Sequence, residues 1–209
     1  MNTNTIHVAV YDGWADWEAG FALAHLASGD WRADGKRYDV VTVGETSRPI
    51  RTKGGLTLHP DTTLDDLDPA HSAMLILPGG DSWMVGANHG FAVMAGRFLQ
   101  VGVPVAAICG ATVGLAAAGL LNDRDHTSNA PQILQVGAYS GQDRYQQQLA
   151  VTDSNLITAS GVAPVEFARA IFDQLAFYSE EVSDSWYLMY GKQDPAGYFA
   201  LMQALANVG

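Results

Sequence analysis

The only cysteine in this 209-residue chain, Cys109, joins a short apolar run to a segment of very small residues. Pro104-Val-Ala-Ala-Ile-Cys109 has the unbroken apolar character of a buried parallel strand. Gly110-Ala-Thr-Val-Gly-Leu-Ala-Ala-Ala-Gly119 then reads as a helix closed by a glycine cap. A nucleophile at such a junction stands on a sharp elbow, where the free N–H groups and positive potential of the helix N-terminus favour thiolate. We therefore expect Cys109 to titrate below the usual thiol range. Small residues around the turn let backbone and substrate come close to the sulfur. A lone cysteine in an apolar segment also serves as a small buried hydrophobe, so its role depends on what the rest of the chain brings to it.

The elements that must position it are legible as alternating strands and helices. Ile6–Tyr11 reads as strand one, leading into an amphipathic helix over Asp16–Ala27 with Trp17, Phe21 and Ala24 on its apolar face. Tyr38–Val43 is strand two, and Ile50–Leu58, with Gly54-Gly55 inside it, reads as a small hairpin. Met74–Leu77 is an apolar strand ending in Pro78-Gly79-Gly80, followed by a helix over Gly90–Val101. Leu149–Thr152 and Leu156–Ala159 form a hairpin or two adjacent strands. Helices follow over Ala163–Tyr178 and Pro195–Ala206, with Tyr187–Gly191 indeterminate between them. Such alternation predicts an α/β fold with a mostly parallel sheet covered on both faces, whose sites gather at the carboxyl ends of the strands. Tyr11–Glu18, Pro78–Asp81 and Cys109–Gly110 all lie at such ends.

Composition narrows the classes. A single domain spanning 1–209 is expected, with a helical extension over about 180–209, and a chain of this length buries about 70% of its unfolded surface. The net charge of −11 and the lack of any basic cluster argue against nucleic acid or an anionic membrane as partner. No apolar run is long enough to span a bilayer. The opening Met-Asn-Thr-Asn-Thr lacks the basic and apolar regions of a signal peptide, and one cysteine permits no internal disulfide, so a reducing cytoplasm is expected. None of the six histidines pairs with Cys, Asp or Glu at metal-ligand spacing, and no metal or cofactor is expected.

Taken together, Leu75-Ile-Leu-Pro-Gly-Gly80, Ala106-Ala-Ile-Cys-Gly110, Gly119-Leu-Leu121, Arg124, Thr127-Ser128 and Thr158-Ala-Ser-Gly161 resemble the ThiJ/PfpI superfamily, in order and spacing from about Ile6 to Tyr178. This class I glutamine-amidotransferase-like group includes intracellular proteases, isonitrile hydratases, glyoxalase-type enzymes and stress proteins. The resemblance implies a flavodoxin-like three-layer α/β/α sandwich, a homodimer, and a nucleophile at Cys109. It also implies an acid at Glu18 bonded to the sulfur and an oxyanion hole from the Gly80 and Gly110 amides. A carboxyl held in a crevice beside a thiolate has a raised pKa, and once protonated can donate to sulfur and shuttle a proton. Asp16 competes for that role on the same turn. The third partner is His126, 17 positions on (126 − 109 = 17), or Asn129, where several branches place theirs. Asp81 and Thr112 are further expected lining residues, and Trp14, Trp17 and Trp83 line a pocket or the core.

Two departures restrict the activity. No histidine lies beyond His126, which disfavours the late His-x-Glu of glutaminases, and Gly110 replaces the histidine that follows the nucleophile in the protease-like branch. The reading is a cofactorless cysteine-dependent hydrolase, hydratase or glyoxalase-type enzyme on a small electrophilic substrate. Its alternative is a redox-responsive stress protein whose Cys109 is oxidised to sulfinate with little turnover.

Overall fold

The computed structural model describes residues 4–32 and 34–206; the expected terminal segments at 1–3 and 207–209 lie outside the described residues. Short apolar runs alternate with amphipathic ones, and the elements follow that pattern. β1 (Thr5–Ala9) turns into α1 (Asp16–Ser28), and β2 (Asp39–Gly44) comes next. A two-rung hairpin, β3 (Ile50–Arg51) and β4 (Thr57–Leu58), precedes β5 (Thr62–Thr63), β6 (Met74–Leu77) and α2 (His89–Gln100). β7 (Val105–Ile108) and α3 (Gly110–Ala117) lead through a long connection to β8 (Ala150–Asp153) and β9 (Leu156–Ala159). The chain ends in α4 (Pro164–Gln174), α5 (Glu180–Tyr190) and α6 (Ala196–Ala206).

Seven strands make one sheet in the order β5-β2-β1-β6-β7-β9-β8, parallel throughout except where β8 runs antiparallel to β9. This is the expected flavodoxin-like α/β architecture. The β1-to-β2 and β6-to-β7 crossovers move outward in opposite directions, so right-handed connections put α1 and α2 on opposite faces. The central strands β6, β7 and β9 are wholly buried, as a sheet covered on both sides requires. Register pairs such as Val8–Ile76, Ile76–Ala106 and Ile108–Ala159 bring the carboxyl ends of β1, β6, β7 and β9 to one edge. Among the described residues, no helix is long and apolar enough to cross a membrane.

Two expectations need correction. The face of α1 expected to be apolar is not the buried one: Trp17 is half-exposed, and the buried stripe is Glu18, Ala19, Ala22, His25 and Leu26. Two polar side chains therefore point inward, each toward a dedicated partner. The helix expected to reach Tyr178 stops at Gln174, because Ala176 adopts φ +46° and breaks the turn. Ser179 then caps a new helix, accepting from the Val182 N–H, across the stretch that was indeterminate in sequence.

That new helix is anchored on α1. The Trp186 indole N–H donates to His25 Nε2 at 3.0 Å, inside a cage of Trp31, Phe172, Tyr178 and Tyr190. An imidazole accepting at Nε2 must be neutral, and burial holds His25 below its ordinary pKa against the opposing charge of Asp30. A folded pKa below the unfolded value gives stability that is complete above about pH 6.5 and is lost as pH falls toward the folded value. We predict that the thermal midpoint falls between pH 7.5 and pH 5.5, and less steeply in His25→Gln, which keeps an acceptor but no titrating ring. The residual slope is set by His7 and His126, whose pKa values are likewise lowered by burial, and is opposed by Glu18, whose raised pKa of about 6 adds stability as it takes up its proton. Equal slopes in both proteins would contradict this account.

Candidate active site

Cys109 is where β7 becomes α3, and its backbone serves both elements. Its N–H donates to the Ala159 carbonyl of β9 at 2.9 Å, while its own C=O accepts from the Thr112 amide at 3.1 Å and the Thr112 hydroxyl at 2.6 Å. Satisfying both sets φ at +59° and ψ at −124°, in a region that non-glycine residues seldom occupy. The sulfur projects into a space with no room for neighbouring side chains. A Cβ at Gly79 would come within 2.6 Å of the Cys109 Cβ, and one at Gly161 within 2.7 Å of Sγ.

Glu18 reaches this space from the first turn of α1 and is 1% exposed. Its Oε2 accepts from the Gly79 amide. Its Oε1 has no N–H or O–H partner among the described residues and lies beside the cysteine: the same hypothetical Cβ at Gly161 would be 3.1 Å from it. Burial raises the Glu18 pKa to about 6, against the lowering pull of the Cys109 thiol, the Gly79 N–H and the charge of Lys53.

The thiol is shifted too, and opposite to the expectation. Burial is the largest cause and Glu18 adds to it, together outweighing the Asn129 and Gly110 N–H groups, so Cys109 titrates above the usual range. A helix N-terminus contributes about 0.3–1 kcal/mol, less than one pK unit, and cannot offset burial beside a carboxylate.

Asn129, not His126, faces the sulfur. Its Oδ1 accepts from the Gly161 amide at 2.7 Å and the Ser160 hydroxyl at 3.4 Å, which turns Nδ2–H toward Sγ at 3.2 Å. His126 is fully buried elsewhere, with Nδ1 against the Arg124 carbonyl at 2.7 Å and Nε2 against the Tyr139 hydroxyl at 2.9 Å. Since a carbonyl only accepts, Nδ1 carries the proton and Nε2 accepts. Both ring nitrogens are consumed under the 131–145 connection, between Tyr139 and Tyr145.

The remaining expected residues sit at varying distance from the chemistry. Asp16 accepts from the Gly54 amide at 2.6 Å and ties down the β3–β4 hairpin. Burial opposes its ionisation, but the Thr52 and Gly54 hydrogen bonds prevail and hold the carboxyl below its ordinary value. Asp81 is exposed and pairs with Lys53 at 3.1 Å. Thr112 is buried beneath the elbow, its hydroxyl also 2.6 Å from that of Ser128. The Gly110 amide is the first of α3 and has no intrahelical acceptor, and among the described residues the Gly80 amide meets none either. Trp14 and Trp83 are buried, while Trp17 is half-exposed with its indole N–H on the Gly161 carbonyl at 3.3 Å. Gly161 was not singled out as a site residue, although a Ser-Gly pair directly after an apolar strand was signal enough. Among the described residues, no three His, Cys, Asp or Glu side chains cluster as metal ligands.

The DJ-1/PfpI family model fits residues 4–174. The chain belongs to that family. Among its relatives, a Bacillus subtilis protein named "Uncharacterized protease YoaZ" is 38% identical over 98% of this chain and 99% of its own length. An Escherichia coli relative, "Protein/nucleic acid deglycase 2", is 30% identical over 58% of this chain and 72% of its own. The crystal structure of a thiJ/pfpI family protein from Bacillus anthracis superposes with a TM-score of 0.90 at 36% identity, covering 97% of each chain. The DJ-1/PfpI match stops before α5 and α6, which this chain adds beyond it.

Because Glu18 disfavours ionisation of the thiol, the thiol titration must depend on residue 18. We predict that the alkylation rate of Cys109 by iodoacetamide inflects above about pH 8.5. Glu18→Gln, which removes the charge and keeps the shape, moves that inflection down. An unmoved inflection would show that carboxyl and thiol are not coupled.

Proposed function

We propose that this protein is a cofactorless enzyme in which Cys109 adds to a small electrophilic carbonyl compound. The observation that carries this reading is the buried Glu18 carboxyl, with Oε1 unpartnered beside the thiol and a pKa near neutrality. With a pKa of about 6 the group is mostly carboxylate at neutral pH, so it can take the thiol proton as sulfur adds and pass it to the carbonyl oxygen or to water. In the first step the S–C bond forms, the C=O π bond opens onto oxygen, and the thiol proton ends on that oxygen by way of Glu18. The Gly80 amide, which meets no acceptor among the described residues, and the Gly110 amide are the donors for the developing negative charge, and Asn129 Nδ2–H steadies the sulfur. The names of two relatives, one a protease and one a deglycase, support hydrolysis at a carbonyl-derived centre. The peptidase version is less well supported here, since the expected imidazole, His126, is turned away.

Methylglyoxal is a suitable small test substrate. The purified protein should consume it, and Cys109→Ser should abolish consumption. Glu18→Gln should reduce kcat by about 10²–10⁴-fold, the usual worth of a positioned acid–base group. Consumption equal in wild type and Cys109→Ser would overturn the proposal. If peroxide then converted Cys109 to a species heavier by two oxygens, the redox reading would take its place.

A further inference from the structure

The turn Pro78-Gly79-Gly80 carries no side chain to hold it beyond the proline, and two successive glycines are the most flexible pair a chain can offer. Yet every carbonyl in it is bound. The Gly79 C=O accepts from the Ala15 amide at 3.0 Å, and the Gly80 C=O from the Trp83 amide at 3.3 Å. The Pro78 C=O takes two donors, the Tyr11 hydroxyl and the Trp83 indole N–H at 3.1 Å, and that indole also reaches the Tyr11 oxygen at 2.7 Å. On the opposite side the Gly79 N–H is held by Glu18. A peptide unit is planar with its C=O and N–H opposed, so fixing either end fixes the other. Tyr11 and Trp83 thus fix the Pro78–Gly79 plane, whose N–H is the one Glu18 holds, and Ala15 fixes the Gly79–Gly80 plane, whose N–H, that of Gly80, meets no acceptor among the described residues.

Tyr11 and Trp83 are 6% and 2% exposed, and their rings meet edge to face at 5.9 Å. The chain makes room for them: a Cβ at Gly114 would strike the Trp83 ring at 2.2 Å, and one at Gly80 would press on the Tyr11 ring at 3.0 Å. Apolar residues would fill the same volume without burying a hydroxyl and an indole N–H. Here both polar groups are spent on one carbonyl of the turn.

We propose that Tyr11 and Trp83 are positioning residues that lock the first peptide of the Pro78–Gly80 turn, and through it the course of the turn that brings the Gly80 amide to the oxygen of a carbonyl adding to Cys109. This rests on the carbonyl-addition reading above. The clamp acts on addition, where oxygen gains charge as the S–C bond forms. It does not act on displacement of iodide from iodoacetamide, where carbon–iodine breaks as sulfur–carbon forms and no oxyanion develops.

The experiment reads both reactions at the same sulfur. Alkylation of Cys109 by iodoacetamide gives its intrinsic reactivity, and protection of Cys109 by graded methylglyoxal gives the addition equilibrium. Tyr11→Phe keeps the ring and loses one hydroxyl, and Trp83→Phe removes the indole donor. Each should weaken methylglyoxal protection about tenfold or more, the scale of a misplaced catalytic group, while alkylation without methylglyoxal stays as in wild type. A merely structural role would slow both reactions together or neither, and either result in the folded variants would overturn the proposal. Thermal midpoints establish folding, and if one variant fails to fold the other decides. A wild-type protein alkylated normally but unprotected by methylglyoxal would sink the carbonyl-addition reading itself, and the clamp with it.

Discussion

The backbone of Cys109 is pulled two ways: its N–H completes the parallel ladder with β9 while its C=O opens the hydrogen bonding of α3. No ordinary conformation satisfies both, and the positive φ that does costs about 1–3 kcal/mol. Neither neighbour can yield, because β7 is buried in the middle of the sheet and α3 is packed under it. The strain is thus held in place by the central sheet on one side and a buried helix on the other. Its consequence is steric. The sulfur is thrust into backbone rather than into side chains, and the positions touching it, Gly79 and Gly161, have no space for a Cβ. The groups that can address it are amides, plus two side chains arriving from a distance, Glu18 and Asn129.

That crowding also determines the electrostatics. Dry surroundings disfavour both ionised forms, and the two acids are close enough to repel when both are charged, so the pair behaves as a site for one negative charge. Stabilisation by a helix terminus falls short of this by its magnitude alone. A thiol that keeps its proton until a carbonyl arrives, beside a carboxyl that can take it, suits reversible addition better than a standing thiolate would. It also leaves the sulfur less open to indiscriminate oxidants, which attack the thiolate.

The sequence made the scaffold readable and the polar pairings only partly so. β6 and β7 are apolar along their whole length, a pattern with one reading in an α/β chain, and the elbow is implied by the glycine and small residues after Cys109. Glu18 was legible because the family register singles out one carboxylate at the end of strand one. The inward face of α1 was not. Hydropathy favours Trp17 over His25, while the fold buries His25 because a tryptophan 161 positions away supplies its hydrogen bond. His126 and Asn129 differ in the same way. Imidazole is the more versatile catalytic group, yet the Tyr139 hydroxyl and the Arg124 carbonyl two residues back claim its nitrogens, and the plainer amide is turned to the sulfur by Gly161. Pairings across such distances leave no local trace. The break between α4 and α5 was hidden for a simpler reason, since an alanine at positive φ carries none of the composition that marks a turn.

α1 links these observations. Its buried stripe holds Glu18 at one end and His25 two turns later, about 10 Å along a rigid rod. The first side chain enters the site and the second is bound to Trp186 of α5, with Phe21 between them edge-on to Trp186 and Tyr190. Residues beyond the stretch matched by the family model therefore grip the helix that carries the Glu18 carboxyl. A rotation of α1 large enough to withdraw Glu18 from the Gly79 amide would also drag His25 out of its aromatic cage. The orientation of the acid is thus secured from a direction that the site itself does not reveal.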